Sequence, residues 1–215
     1  MGRPTGSRNS TYDDKRRSLA RAVLPSLLTE DGHRVSMREL AATANVSVPT
    51  LRHYFGDRDG VVAAALLSMK EIGEVHLQRA ANTKLDLPLE ASLLWVLSEF
   101  ATGWMHGVGQ LVTAGILIGA NSDTLGPAFV DATLEPTLQS FERRLAAHQE
   151  RGQLAPDACP RAASLALVCP VILGLLHQVQ LRGSTCRALD LDAFLKEHVH
   201  RFVRGWGRDD PSLQS

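Results

Sequence analysis

Between Ser36 and Gly56 the chain carries the signals for two short helices joined by a tight turn, and few other conformations suit it. Ser36 stands three residues before Glu39, the spacing of a capping box: the hydroxyl takes one free amide and the carboxylate takes another. Leu40, Ala41 and Ala44 then share one face, and Asn45, which tolerates left-handed torsions, ends the helix. Ser47 opens the next helix as N-cap. Pro49 falls in its first turn, where a missing amide costs nothing, and Gly56 stops it. Leu51 and Phe55, four residues apart, share its inward face.

A longer helix is expected just before, from about Asp13 to Thr29, with Leu19, Ala20, Val23, Leu24, Leu27 and Leu28 as its apolar stripe. Pro25 removes one backbone bond and predicts a bend or local break; Gly32 is expected as a left-handed cap. Three helices in this order make a unit of the helix-turn-helix type. Ala41 is small enough for a close crossing, Val46 plugs the turn, and Leu51 and Phe55 anchor the third helix. In such units the last helix enters the DNA major groove. Its outward positions are Val48, Thr50, Arg52, His53 and Tyr54, and its free amides near Ser47, Pro49 and Thr50 favour a phosphate. The spacing therefore predicts phosphate contacts from Thr50 and Tyr54, a base contact from Arg52, a DNA contact from His53, and a backbone contact from Arg38.

Charge agrees with that placement. The formal net charge is zero, yet the first 60 residues hold ten Lys/Arg against seven Asp/Glu. A basic end on a neutral chain suits a local anionic partner. Residues 1–12, with Arg3 and Arg8, read as a flexible basic arm, which is expected to stay solvated rather than lie in the minor groove.

The rest of the chain also reads as helical, so the fold class is all-α. Asp57 or Asp59 can cap a fourth helix through Val75. Longer helices are expected at about Leu89–His106, Gln110–Gly119, Leu125–Glu150, Asp157–Leu181 and Leu191–Trp206, with a loose tail over 208–215. The most apolar stretch, Ala162–Leu176, is shorter than the roughly 18 residues a membrane span needs and contains Pro170, so it reads as a buried helix and no membrane is expected as a partner. Trp95, Trp104, His106 and His177 place a few polar groups among apolar ones, the composition of an effector pocket. Cys159, Cys169 and Cys186 lack CxxC spacing and read as incidental thiols. No histidine pair has HExxH spacing, and neither a GxSxG elbow nor a Gly-rich phosphate loop appears, so no metal, cofactor or catalytic residues are expected.

The runs Ser36-Met37-Arg38-Glu39-Leu40-Ala41 and Asn45-Val46-Ser47-Val48-Pro49-Thr50-Leu51-Arg52-His53-Tyr54-Phe55-Gly56-Asp57-Arg58 resemble the amino-terminal domain of TetR-family transcriptional regulators, closely over residues 15–70. The resemblance implies a cytoplasmic homodimer, not an enzyme, whose DNA-binding domain over 13–60 holds a palindromic operator on double-stranded DNA. Its helical domain over 61–207 would dimerise, through Asp157–Leu181 and Leu191–Trp206, and bind a small-molecule effector. It also implies a repressor, with an activator or an effector-independent regulator as the alternative. A helical-bundle enzyme or ligand carrier is the alternative of another class. The sequence departs from the family where Asn45 replaces glycine, Arg52 an aromatic residue, Tyr54 histidine and Arg58 lysine, and where Pro25 and His33 replace commoner apolar and aromatic residues. Arg58 keeps the lysine's charge and is expected to meet phosphate.

Overall fold

The computed structural model describes residues 6–29, 31–120 and 122–208. Among these, the regular elements are helical, and the one strand-like pairing is an isolated antiparallel bridge between Leu154 and Gly207. The helices are α1 (Gly6–Leu27), α2 (Met37–Thr43), α3 (Val48–Phe55), α4 (Arg58–Asn82), α5 (Leu89–Gly103), α6 (Gly109–Gly119), α7 (Leu125–Phe129), α8 (Glu135–Glu150), α9 (Pro160–Leu175) and α10 (Leu191–Trp206). Wider π-type turns extend α7 over Val130–Leu134 and α9 over Leu176–Gln180, whereas Trp104–Val108 is a kink between α5 and α6, with His106 and Gly107 (φ 118°) outside helical torsions. The all-α expectation holds, and the five long helices lie where their apolar periodicity put them.

Two compact units share the chain: Met1–Gly73 with Ala114–Leu134, and Glu74–Thr113 with Glu135–Ser215. Helix α4 runs from Arg58 to Asn82, through the expected boundary at residue 60 and from the first unit into the second. In the first unit α1 packs on both α2 and α3. Leu19, Val23, Leu27, Leu40, Ala41, Leu51, Val61, Val62 and Ala65 are buried there; Phe55 and Val46 are only half-buried. Farther along the same unit, Gly115 of α6 lies so close to the ring of Phe129 that a Cβ would overlap it.

α1 differs from its expectation at both ends. It starts at Gly6, so residues 6–12 are helical rather than part of an arm; residues 1–5 of that arm lie outside the described residues. It passes through Pro25 and stops two residues later, at Leu27. Gly32 is not left-handed. It opens a 3-10 turn, Gly32–Arg34, and is required for space, since a Cβ would overlap the Leu27 carbonyl.

The second unit packs α8 on α9, α5 on α10, and α9 on α10. Leu93, Leu97, Phe141, Leu145, Leu167, Val171, Leu175, Leu195, Val199 and Phe202 are buried in it. Together α9 and its π-type turn form one 21-residue helical run, Pro160–Gln180, within the expected Asp157–Leu181 and apolar enough by length and composition alone to cross a membrane. One face holds the buried residues Ala163, Leu167, Val168, Val171 and Leu175, as in the core helix of a bundle.

An unexpected polar cluster is buried here. Arg144 is wholly buried without a carboxylate partner. Its Nε donates to Ala80 O at 2.7 Å and its Nη2 to Thr83 O at 2.5 Å, capping the carboxyl end of α4, while Nη1 donates to Ser92 Oγ. With Ser92 Oγ accepting that bond, its proton goes to His148 Nε2, 2.8 Å away, and His148 Nδ1 donates to Gln153 Oε1. Every member of this chain, from Arg144 through Ser92 and His148 to Gln153, has a partner, as buried polar networks require. Burial lowers the Arg144 pKa to about 10 and also lowers that of His148, where the nearby Arg144 charge adds to the effect. Both directions agree with a charged Arg144 beside a neutral His148.

Candidate nucleic-acid interface

The turn between α2 and α3 is built as its residues dictate. Ser36 Oγ accepts from Glu39 N at 3.3 Å, and Ser36 N donates to Glu39 Oε2 at 2.7 Å, completing the capping box. The Ser36 hydroxyl also donates to Glu39 Oε2 at 2.6 Å, and this bond, with that from Ser36 N, favours the ionised carboxylate, so the Glu39 pKa is lowered. Asn45 takes the left-handed conformation, φ 52°, at the position where the family usually has glycine. Ser47 caps α3, accepting from Thr50 N at 3.2 Å, and its hydroxyl pairs with Thr50 Oγ1 at 2.8 Å. Gly56 ends α3 at φ 80°, and Asp57 Oδ1 then accepts from Gly60 N at 2.8 Å to cap α4.

With Leu51 fully buried, the opposite face of α3 is outward. Pro49, Arg52 and His53 are exposed, as are Ser47 at its start and Arg38 on α2; Val48, Thr50 and Tyr54 are half-buried. Eight of the nine residues expected to face DNA thus lie on the surface of α2, the turn and α3.

Arg58 is placed differently. Its Nε donates to Val35 O at 2.6 Å, Nη2 to His33 O at 2.8 Å and Nη1 to Asp59 Oδ1 at 3.0 Å. The guanidinium is engaged within the domain, fastening the start of α4 to the 3-10 turn, because a planar fork can satisfy two carbonyls that a lysine ammonium would meet less well.

Two residues that the sequence left out of the site sit against α3. Tyr12, assigned to the arm, and Arg16 both project from α1 onto its carboxyl end. Tyr12 Oη donates to His53 O at 3.4 Å and Arg16 Nε to Tyr54 O at 3.3 Å. Their spacing of four on a basic helix was the available signal.

The four residues expected around an effector all fall in the second unit. The Trp95 ring is half-buried among three cations: Lys84 Nζ at 5.1 Å, Arg144 at 5.4 Å and Arg79 at 5.8 Å. Trp104 is buried, and its indole N–H has no partner among the described residues. His106 and His177 are exposed, bonded locally to Thr102 O and to the Gln178 side chain. Two open grooves of about 400 and 390 Å³ lie elsewhere in this unit, one along Ala155–Cys159 and Trp206, the other along Gln139–Ala146 and Pro160. None of the four residues lines either. Cys159, Cys169 and Cys186 are free and exposed.

Comparison with known proteins agrees with this geometry. Residues 26–65 match the sequence pattern of bacterial regulatory proteins, tetR family. No curated protein matches the whole sequence. Among solved structures, a Mesorhizobium loti protein assigned to the TetR-family transcriptional regulators is 21% identical, with a TM-score of 0.71 over 92% of this chain and 98% of its own. Regulatory protein TetR from Rhodobacter sphaeroides is 23% identical, with a TM-score of 0.59 over 88% and 97%. SmeT, the repressor of the multidrug efflux pump SmeDEF in Stenotrophomonas maltophilia, is 19% identical, with a TM-score of 0.61 over 90% and 91%. These likenesses establish a shared fold over nearly the full length of both partners.

Proposed function

We propose that the chain is a DNA-binding transcriptional regulator of the TetR family, working as a cytoplasmic homodimeric repressor that a small-molecule effector releases from a palindromic operator. The observation that carries this reading is α3 itself: a helix capped by Ser47, anchored by buried Leu51, and showing Pro49, Arg52 and His53 to solvent. Arg52 is then the residue that grips guanine O6 and N7. Ser47, Thr50 and Tyr54 meet phosphate, Val48, Pro49 and His53 touch the groove, and Arg38 reaches the backbone. The domain limits 13–60 and 61–207 go with this division of labour.

The homodimer has support from α9. Opposite its buried face, Ala162, Leu165, Ala166, Cys169, Pro170 and Leu173 are all exposed at i, i+3, i+4, i+7, i+8 and i+11, with Leu173 65% exposed. An uncharged stripe of this length suits a second copy of itself across a two-fold axis, and two reading helices about 34 Å apart then match two half-sites. Cys169 lies in the stripe, so mild oxidation should link two chains through it. An unlinked monomer at working concentration would remove the dimer.

For the effector, Trp104 supplies a buried N–H without a partner, and the side chain of Gln180, whose Oε1 is likewise unpaired, closes with it on the backbone of Gly109. A ligand in this unit, near Trp95, Trp104, His106 and His177, acts through unequal affinity for two dimer states, so DNA and effector weaken each other reciprocally. Repression is the role of SmeT, whose fold this chain shares. Selection of bound fragments from random duplexes tests the reading: a palindrome should be enriched, with affinity falling steeply as salt rises. Recovery of no common sequence would overturn it.

A further inference from the structure

We propose that Tyr12 and Arg16 are positioning residues for DNA reading, holding the carboxyl end of α3 from α1 and so fixing the angle at which its outward face meets the groove. The inference rests on the reading that α3 enters DNA.

Eight residues give α3 barely two turns, and a helix this short is not stable by itself. Ser47 fixes its amino end from within. At its carboxyl end the last carbonyls have no helical donors, and α1 supplies them. Arg16 Nε donates to Tyr54 O at 3.3 Å, and Tyr12 Oη to His53 O at 3.4 Å. The rings repeat the attachment. The Arg16 guanidinium lies over the Phe55 ring at 5.1 Å, the Tyr12 ring is 4.8 Å from that of Tyr54, and the edge of Tyr12 meets His53 at 5.9 Å. Three consecutive residues of the reading helix are thus each held from α1, two of them expected at the DNA. The cation of Arg16 also sits at the negative end of the α3 dipole, where it is favoured.

A residue that acts by positioning leaves a different signature from one that grips phosphate. Loss of a phosphate contact weakens all duplexes alike and makes the salt dependence shallower. Loss of a positioning contact misplaces Arg52 and its neighbours, which matters only where bases are read.

The full-length protein is first used to recover an operator from random duplexes; failure at that step refutes the DNA-reading proposal, whatever the variants do. With the operator in hand, wild type, Arg16→Gln, Tyr12→Ala and Tyr12→Phe are titrated with operator and with an unrelated duplex over a range of salt. Arg16→Gln, which gives up a charge-assisted hydrogen bond, and Tyr12→Ala, which gives up a ring contact as well as a neutral hydrogen bond, should each weaken operator binding by about tenfold, with the unrelated duplex and the salt slope unchanged. Tyr12→Phe, which keeps the stacked ring and gives up only a long hydrogen bond, should recover most of the affinity. Equal loss on both duplexes with a shallower slope would make these residues phosphate contacts and overturn the inference, as would undiminished operator binding. If Arg16→Gln lowers the helix content of the free protein, Tyr12→Ala alone decides by the same two outcomes.

Discussion

Replacing Arg144 with methionine should destabilise the protein, although it removes a buried charge that nothing negative balances. Two effects oppose each other. The pKa fall from 12.5 to about 10 measures how strongly burial resists the charge, at most about 3 kcal/mol at 1.36 kcal/mol per pKa unit. Against this stand the three acceptors it satisfies: Ala80 O, Thr83 O and Ser92 Oγ. A hydrogen bond to a charged group is worth roughly 1.5–3 kcal/mol and a buried acceptor left empty costs about as much, so their loss comes to about 6 kcal/mol. The acceptors win by about 3 kcal/mol. Methionine keeps the apolar stem, so cavity formation contributes little and the charge and fork are what is tested. For a chain of this size that difference lowers the melting temperature by roughly 6–12 °C. The assay is thermal unfolding followed by circular dichroism, at one fixed protein concentration so that any self-association affects both proteins alike. An unchanged or raised midpoint would refute the reasoning: it would mean that the desolvation of the guanidinium exceeds everything its hydrogen bonds return, as in ion pairs that hydrophobic residues replace at no loss.

The neighbouring His148 gives a pH dependence of defined sign. Its imidazole is held neutral below its usual pKa, chiefly by burial, so under about pH 6.5 the unfolded chain takes up a proton that the folded one refuses. Stability should be full above about pH 6.5 and decline as the pH falls through that window, and His148→Gln should flatten the decline when melts at about pH 7.5 and 5.5 are compared. A variant as pH-sensitive as wild type would assign the effect elsewhere. Asn45, at φ 52°, predicts a split between two substitutions: Asn45→Ala should cost about 1 kcal/mol in urea unfolding and Asn45→Gly little or nothing, because only the first strains the left-handed backbone. Gly115→Ala should destabilise by roughly 1–3 kcal/mol by forcing a methyl into the Phe129 ring, and Phe129→Leu should restore part of the melting temperature lost.

Much of the reading unit is legible because its signals act within one turn of helix. The Ser36–Glu39 and Ser47–Thr50 caps join residues three apart, and Asn45 and Gly56 state their own torsions. The same locality made the five long helices visible through their apolar period. It misled at Gly32, where the sequence suggested a torsion and the real demand was space beside the Leu27 carbonyl. An effector site was the least legible, since a pocket is made by residues that sequence spacing does not bring together.

What the sequence determined by itself, then, is the helices, their caps, the turn and the outward set on α3, all fixed by bonds that span four residues or fewer. Only the tertiary structure decided how those helices are held. Arg58 turns inward to His33, 25 residues away; Arg16 reaches Tyr54 across 38 residues and Tyr12 reaches His53 across 41; Arg144 caps α4 at Ala80 across 64. An arginine reads the same in sequence whether it faces solvent, phosphate or a carbonyl. The choice rests on which unpaired acceptors the packed helices bring within about 3 Å of it, the reach of a hydrogen bond, and that exists only once the chain has folded.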